Sequence, residues 1–204
     1  MISLPRVEGG FACIDADPAW PFTGYAPPKL DDRDSRAIER HYATMTIDEI
    51  AAMPVREIAA RDAHLFLWGT WPQLPAVLRV MSAWGFEYSG SAFVWPKLRR
   101  GIAEHQLCVL DQIEREFHLG LGHTTRKNTE FCLLGRRGNA KRLAADVREL
   151  IIAPVREHSR KPDEAHRRME RYCAGPRLQL FGRESRPGWT VWGNEATKFD
   201  QVEA

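Results

Sequence analysis

Asp17-Pro18-Ala19-Trp20 directly follows the short apolar run Phe11-Ala12-Cys13-Ile14, and brings together a carboxylate, a constrained carbonyl and an indole. Pro18 has a locked φ and no N–H, so its carbonyl is held at a set angle as an acceptor. Trp20 offers a flat face on which an aromatic ligand can stack. A carboxylate and a carbonyl can accept the two N–H bonds of an exocyclic aromatic amine while the indole supports its ring. The same residues also read simply as a turn after a strand. A second group lies late in the chain. In Ser159-Arg160-Lys161-Pro162-Asp163-Glu164 a Ser and a Lys stand beside a helix start, where free N–H groups favour a carboxylate or phosphate. Phe181-Gly182-Arg183 ends a strand at a glycine that permits close backbone approach. Asn194 and Glu195 follow another strand and can take ribose hydroxyls or an adenine edge. There is no H-E-x-x-H or C-x-x-C spacing, so no metal site is expected. The cysteines (Cys13, Cys108, Cys132, Cys173) are expected to be buried, reduced thiols.

These residues need a scaffold, and the apolar pattern supplies one. Strands are expected at Phe11–Ile14, Leu65–Trp68, Ala92–Trp95, Phe131–Leu134, Leu150–Ala153, Leu178–Phe181 and Trp189–Trp192. Helices are expected from Thr46, whose spacing to Glu49 is that of a capping box, through Met53; from Leu74 to Trp84, stopping at Gly85; and from Lys161 to Cys173. Strands separated by helices indicate an α/β domain with a largely parallel sheet, which binds ligands beyond the carboxyl ends of its strands. Polar stretches at 23–40 and 97–129 are long enough to be functional loops. Asp15 is costly inside an apolar strand unless paired, and either supports the cleft or faces a polar rim. Trp71 reads as core or as a lid contact, and the Arg167-Arg168 pair is expected to face water.

The length of 204 residues suits a single domain over 1–204. No run of about 18 apolar residues could span a membrane, and the first residues lack a secretion signal, so a cytoplasmic location is expected. The net charge of +2 is unevenly spread: residues 1–94 sum to −4, residues 95–190 to +8 and residues 191–204 to −2. The basic segment suits a polyanion. Arg136-Arg137 and Lys141-Arg142 are either solvated loop charges or part of a phosphate-contacting patch. The absence of G-x-G-x-x-G argues against an ordinary dinucleotide enzyme.

In their order along the chain, these segments resemble the DPPW-type adenine N6-methyltransferases. That family includes the catalytic subunit of the eukaryotic mRNA adenosine methyltransferase and bacterial and phage relatives. The resemblance runs from Phe11 to Glu195. It is carried by Asp17-Pro18-Ala19-Trp20, His41-Tyr42-Ala43-Thr44-Met45, Leu65-Phe66-Leu67-Trp68-Gly69-Thr70, Gly85-Phe86, Trp95-Pro96-Lys97, Gly122-His123, Glu130-Phe131-Cys132-Leu133-Leu134-Gly135, Ser159–Glu164, Gly188-Trp189 and Gly193-Asn194-Glu195. It implies an S-adenosylmethionine-dependent Rossmann-like fold in permuted order, with helices on both faces of the sheet. It also implies methyl transfer to the N6 amino group of adenine in nucleic acid, with DNA as the first reading and RNA the second. Asp17 and the Pro18 carbonyl would accept the amino hydrogens, with Trp20 beside them. Ser159 and Lys161 would lie near the methionine carboxylate, Asp17 near its amino group, and Gln179, Leu180, Arg183, Asn194 and Glu195 around the ribose and adenine. Tyr25, Tyr42, His123, Arg126 and Lys127 would meet the substrate. The family also admits homodimers and heterodimers. Three positions depart from its pattern. Ala19 replaces the second proline, Gln179 stands where Glu is frequent, and Thr129 stands where the eukaryotic catalytic subunit has Lys. Some members with altered tetrapeptides are inactive partners, which keeps a nucleic-acid-binding subunit open as a competing reading.

Overall fold

The computed structural model describes residues 2–21, 45–101, 117–118, 125–157 and 160–200. Among these, seven strands form one sheet: β1 (Phe11–Ala16), β2 (Ala59–Gly69), β3 (Glu87–Leu98), β4 (Thr129–Arg137), β5 (Ala153–Pro154), β6 (Arg177–Leu180) and β7 (Trp189–Trp192). Their spatial order is β5-β3-β4-β2-β1-β6-β7. Strand β1 runs parallel to both β2 and β6, β6 is parallel to β7, and β3 is parallel to β5. Strand β4 lies antiparallel between β2 and β3. The sheet is therefore mostly parallel, as expected for a Rossmann-like α/β domain, and β1 is central with its carboxyl end beside that of β2.

Alternation along the strands sorts the core into two layers. Ile14, Ala16, Leu65 and Leu67 point to one face and pack with Ile50, Val55, Ile58, Val77, Val80 and Met81. These come from α1 (Ile47–Ala51), α2 (Val55–Ile58) and α3 (Leu74–Ala83). Cys13, Phe66 and Trp68 point to the other face and pack with Ala165, Met169 and Cys173, from or just after α4 (Asp163–Tyr172). Both faces being covered explains why β1 and β2 read as near-continuous apolar runs. Thr46 and Glu49 make the expected capping box, but the helix expected through Met53 already ends at Ala51, and a separate short helix, α2, starts after Pro54. Helix α3 ends where Gly85 takes φ +81, a left-handed turn that glycine adopts without a Cβ clash.

Four expectations need correction. The strand expected at Leu150–Ala153 shrinks to Ala153–Pro154 with an isolated bridge from Leu150 to Val94. Phe181 lies just past β6, with φ 62. Cys13 and Cys173 are not free thiols but are joined as a disulfide, with Cα atoms 6.1 Å apart, whereas Cys132 is free and buried. Arg168 does not face water: it is half-buried, bonds Glu164 and donates to the carbonyls of Arg148 and Leu150, which fastens that segment to α4. Arg167 is exposed, as expected. Among the described residues no helix is long and apolar enough to cross a membrane.

Candidate active site

The turn Asp17–Pro21 leaves the carboxyl end of β1 and is pinned from three sides. The Asp17 N–H points to the Leu180 carbonyl at 3.5 Å. The indole N–H of Trp20 donates to the Trp68 carbonyl at 2.9 Å, and the Gln73 amide donates to the Pro21 carbonyl. These bonds hold the turn at Ala19, where a second proline would have restrained it. Trp20 is buried in the α1–α3 layer, so its ring props the turn from within and does not stand as an open platform. The Pro18 carbonyl accepts the Trp20 N–H at 2.9 Å, which leaves its second lone pair for a ligand.

Asp17 faces a cleft that Lys161, His166, Gln179, Phe181, Gly182 and Arg183 help to line. Lys161 reaches from the segment before α4 and sets its ammonium 2.6 Å from Asp17 Oδ2 and 3.3 Å from Glu130. Lys97 pairs with the same Glu130. Burial pushes the Asp17 carboxyl above its ordinary value, against the pull of Lys161. Burial also opposes the charges of Lys161 and Glu130. The carboxylates outweigh it at Lys161, whose ammonium is held above the usual lysine range. Two lysines outweigh it at Glu130, whose carboxyl falls to about 2. The result is a chain of alternating charge, Asp17–Lys161–Glu130–Lys97, in which each group stands beside one of opposite sign.

The far wall is built by close backbone packing. Gly182 donates to the Trp192 carbonyl at 3.0 Å, and a Cβ on Gly193 would lie 2.6 Å from the Gly182 carbonyl oxygen. Phe181 holds its left-handed φ with its ring edge-on to Trp192 at 5.8 Å; such a conformation in a bulky residue persists only where its surroundings enforce it. Outside this wall a charge network secures the approach to α4: Arg160 pairs with Glu157 and Glu184, Arg186 with Glu184 and Asp163, and Asp163 with Arg156.

The cofactor residues expected from the sequence divide by position. Asp17, Lys161, Gln179 and Arg183 line the cleft. The Leu180 side chain is core, so only its backbone faces the turn. Asn194 is exposed and outside the lining, and Glu195 sits beside it, paired with Lys198 and Arg183. Arg126 and Lys127 immediately precede β4, at the sheet end that carries Asp17. Ser159, Tyr25, Tyr42 and His123 lie outside the described residues. Among the described residues no cluster of His, Cys, Asp or Glu could hold a metal ion.

Three functional positions escaped the sequence reading. Glu130 is the counter-charge of two lysines, Gln73 ties the turn, and His166 lies under the cleft floor. Each acts across a sequence gap that carries no periodic signal. Gln179 Oε1 and His166 Nδ1 are buried with no partner among the described residues.

A model of the MT-A70 family matches residues 11–195. The type II methyltransferase M.MunI of a Mycoplasma species is 28% identical over 94% of this chain and 79% of its own length. The N(6)-adenosine-methyltransferase subunit METTL3 of Danio rerio is 30% identical over 93% of this chain, and the human catalytic subunit METTL3 is 29% identical over the same share. The chain spans only 28% and 29% of those two proteins. A match extending from the first residue of β1 to the turn after β7 covers every strand of the sheet, and the chain belongs to the MT-A70 family.

Proposed function

We propose that the chain transfers the methyl group of S-adenosylmethionine to the exocyclic N6 amino group of adenine in DNA. One observation carries the reading. Asp17, at the mouth of the central strand, shares a cleft with Lys161, Gln179 and Arg183 from the last third of the chain. The overlap with the type II methyltransferase along most of both chains supports DNA. Relatives named as N(6)-adenosine methyltransferases support RNA as the second reading.

The derivation starts from the amine. Its nitrogen lone pair is delocalised into the purine ring and must localise before it can attack. Lys161 takes Asp17 Oδ2, so Oδ1 and the free lone pair of the Pro18 carbonyl are the acceptors for the two amino hydrogens. Accepting both favours a pyramidal nitrogen and stabilises the positive charge that grows on it. When bound, S-adenosylmethionine supplies an electrophilic methyl on sulfur, whose C–S electron pair departs with the sulfur as the N–C bond forms. The proton lost from nitrogen passes to Asp17 or to water, and the raised carboxyl of Asp17 makes it a better acceptor than an exposed aspartate. Lys161, Gln179 and Arg183 are the cleft residues placed to hold the donor, with Asn194 and Glu195 on the adjoining turn.

The test is transfer of labelled methyl to duplex DNA, single-stranded DNA and RNA of matched sequence. Labelling of adenine N6 in DNA is expected, with Asp17→Ala inactive but still binding S-adenosylhomocysteine. Equal labelling by Asp17→Ala would remove Asp17 from the mechanism. Labelling of RNA alone would move the substrate to the second reading.

A further inference from the structure

Beneath the cleft floor lies a polar cluster that methyl transfer as derived above does not use. Asp15 and His166 are 1% and 2% exposed. Asp15 Oδ1 accepts the Trp68 indole N–H at 3.1 Å, and Oδ2 stands 3.0 Å from His166 Nε2. The same ring nitrogen lies 3.1 Å from the Gln179 carboxamide nitrogen. Asp15 and Gln179 are register partners on β1 and β6, and His166 reaches both from α4, with its ring edge-on to Trp189 at 5.3 Å.

One ring nitrogen cannot serve a carboxylate and an amide N–H together. It carries either a proton or a lone pair, and facing a carboxylate it bonds only by donating. Its N–H then needs oxygen, not NH2, from the neighbouring carboxamide. With the carboxamide turned over, a single N–H lies between two acceptors, Asp15 Oδ2 and the Gln179 oxygen. The Gln179 NH2 then occupies the position beside Gly182, where the amide oxygen would otherwise be buried without a partner among the described residues. His166 Nδ1, also without a partner, bears only a lone pair in this tautomer. A bare lone pair costs less than an unbonded buried N–H.

We propose that Asp15 and His166 are a positioning pair that fixes the Gln179 carboxamide with its oxygen on His166 and its NH2 beside Gly182 in the cleft wall, so that Gln179 meets the cofactor as a donor; this rests on the reading of the cleft as the cofactor site. The role differs from that of a glutamate at the same position, which could only accept when ionised.

Nitrogen NMR of protein carrying labelled histidine tests the pair without any ligand. His166 is expected as the neutral Nε2–H tautomer, and an Nδ1–H tautomer or an imidazolium would overturn the proposal. Calorimetry with S-adenosylhomocysteine tests the consequence. Asp15→Asn and Gln179→Ala should each weaken binding about 5–10-fold, the size of one lost hydrogen bond, and the double variant should lose no more than either single one. Additive losses would overturn it. If the wild-type protein binds no S-adenosylhomocysteine, the cofactor reading fails, while the tautomer still decides the state of the pair.

Discussion

At the scale of single residues, the site depends on a row of four alternating charges, half-buried at Asp17, Glu130 and Lys97 and buried at Lys161. Lys161 offsets part of the burial that raises the Asp17 carboxyl, so Lys161→Met should raise that carboxyl further. A reaction that needs the ionised form then starts to lose rate sooner on acidification, and the acid limb of the single-turnover pH profile should move to higher pH. An unmoved limb would mean that the rate does not depend on ionised Asp17. The same substitution leaves half-buried Asp17 without its lysine and Glu130 with Lys97 alone, and should cost up to about 3 kcal/mol of stability. Glu130 gives the opposite sign. Its carboxyl drops from 4.5 to about 2 in the folded chain, so its stabilisation is complete above the unfolded value and is lost as pH falls towards the folded one. Urea midpoints measured between about pH 6 and pH 3 should therefore fall more steeply for the wild type than for Glu130→Gln.

At the scale of elements, the cleft is shaped by where β1, β6 and β7 end and by what ties their ends together. Gly193 allows the turn after β7 to lie against Gly182; a Cβ there meets backbone, which cannot rotate aside. Gly193→Ala should push the wall into the cleft, lowering the melting temperature and weakening S-adenosylhomocysteine binding together. An unchanged affinity would place that wall outside the cofactor site. Gln73→Leu removes the bond to Pro21 and should reduce turnover about tenfold or more at unchanged cofactor affinity, because a displaced near-attack geometry costs rate before it costs binding. The sequence made β1, β2, β4, β6 and β7 legible because burial, on both faces in the central ones, writes apolar runs into the chain. It could not set the extent of β5, because Leu150 is exposed and the pairing there depends on β3 and on the clamp from Arg168. Nor could it give the Lys161–Asp17 and Asp15–His166 pairs, whose partners are 144 and 151 positions apart. The tetrapeptide marked the cleft mouth, but the bonds that steady it come from Trp68 and Gln73.

At the scale of the whole molecule, the basic excess of residues 95–190 is divided between opposite ends of the sheet. Because β4 runs antiparallel to β2, its first residues lie at the end with Gly69 and Asp17, and its last, Arg136 and Arg137, lie beside His64 and Ala63 at the other. Arg126 and Lys127 therefore approach from the catalytic end. There Trp71 is 43% exposed, its indole N–H donates to Thr129 at 2.7 Å, and its ring leans on Phe131. A polyanion whose adenine enters at Asp17 meets that rim and not Arg136 and Arg137. Each lost phosphate contact lowers the salt slope of binding by about 0.9 for duplex DNA and about 0.7 for a single strand. Neutralising Arg126 and Lys127 together should flatten the slope by up to about 1.8 on a duplex or about 1.4 on a single strand. Neutralising Arg136 and Arg137 should leave it unchanged, and Trp71→Ala should weaken affinity with the slope intact, because stacking releases no counterions. If instead the far-end arginines carry the slope, the polyanion wraps the edge of β4 and the rim holds only the reacting base.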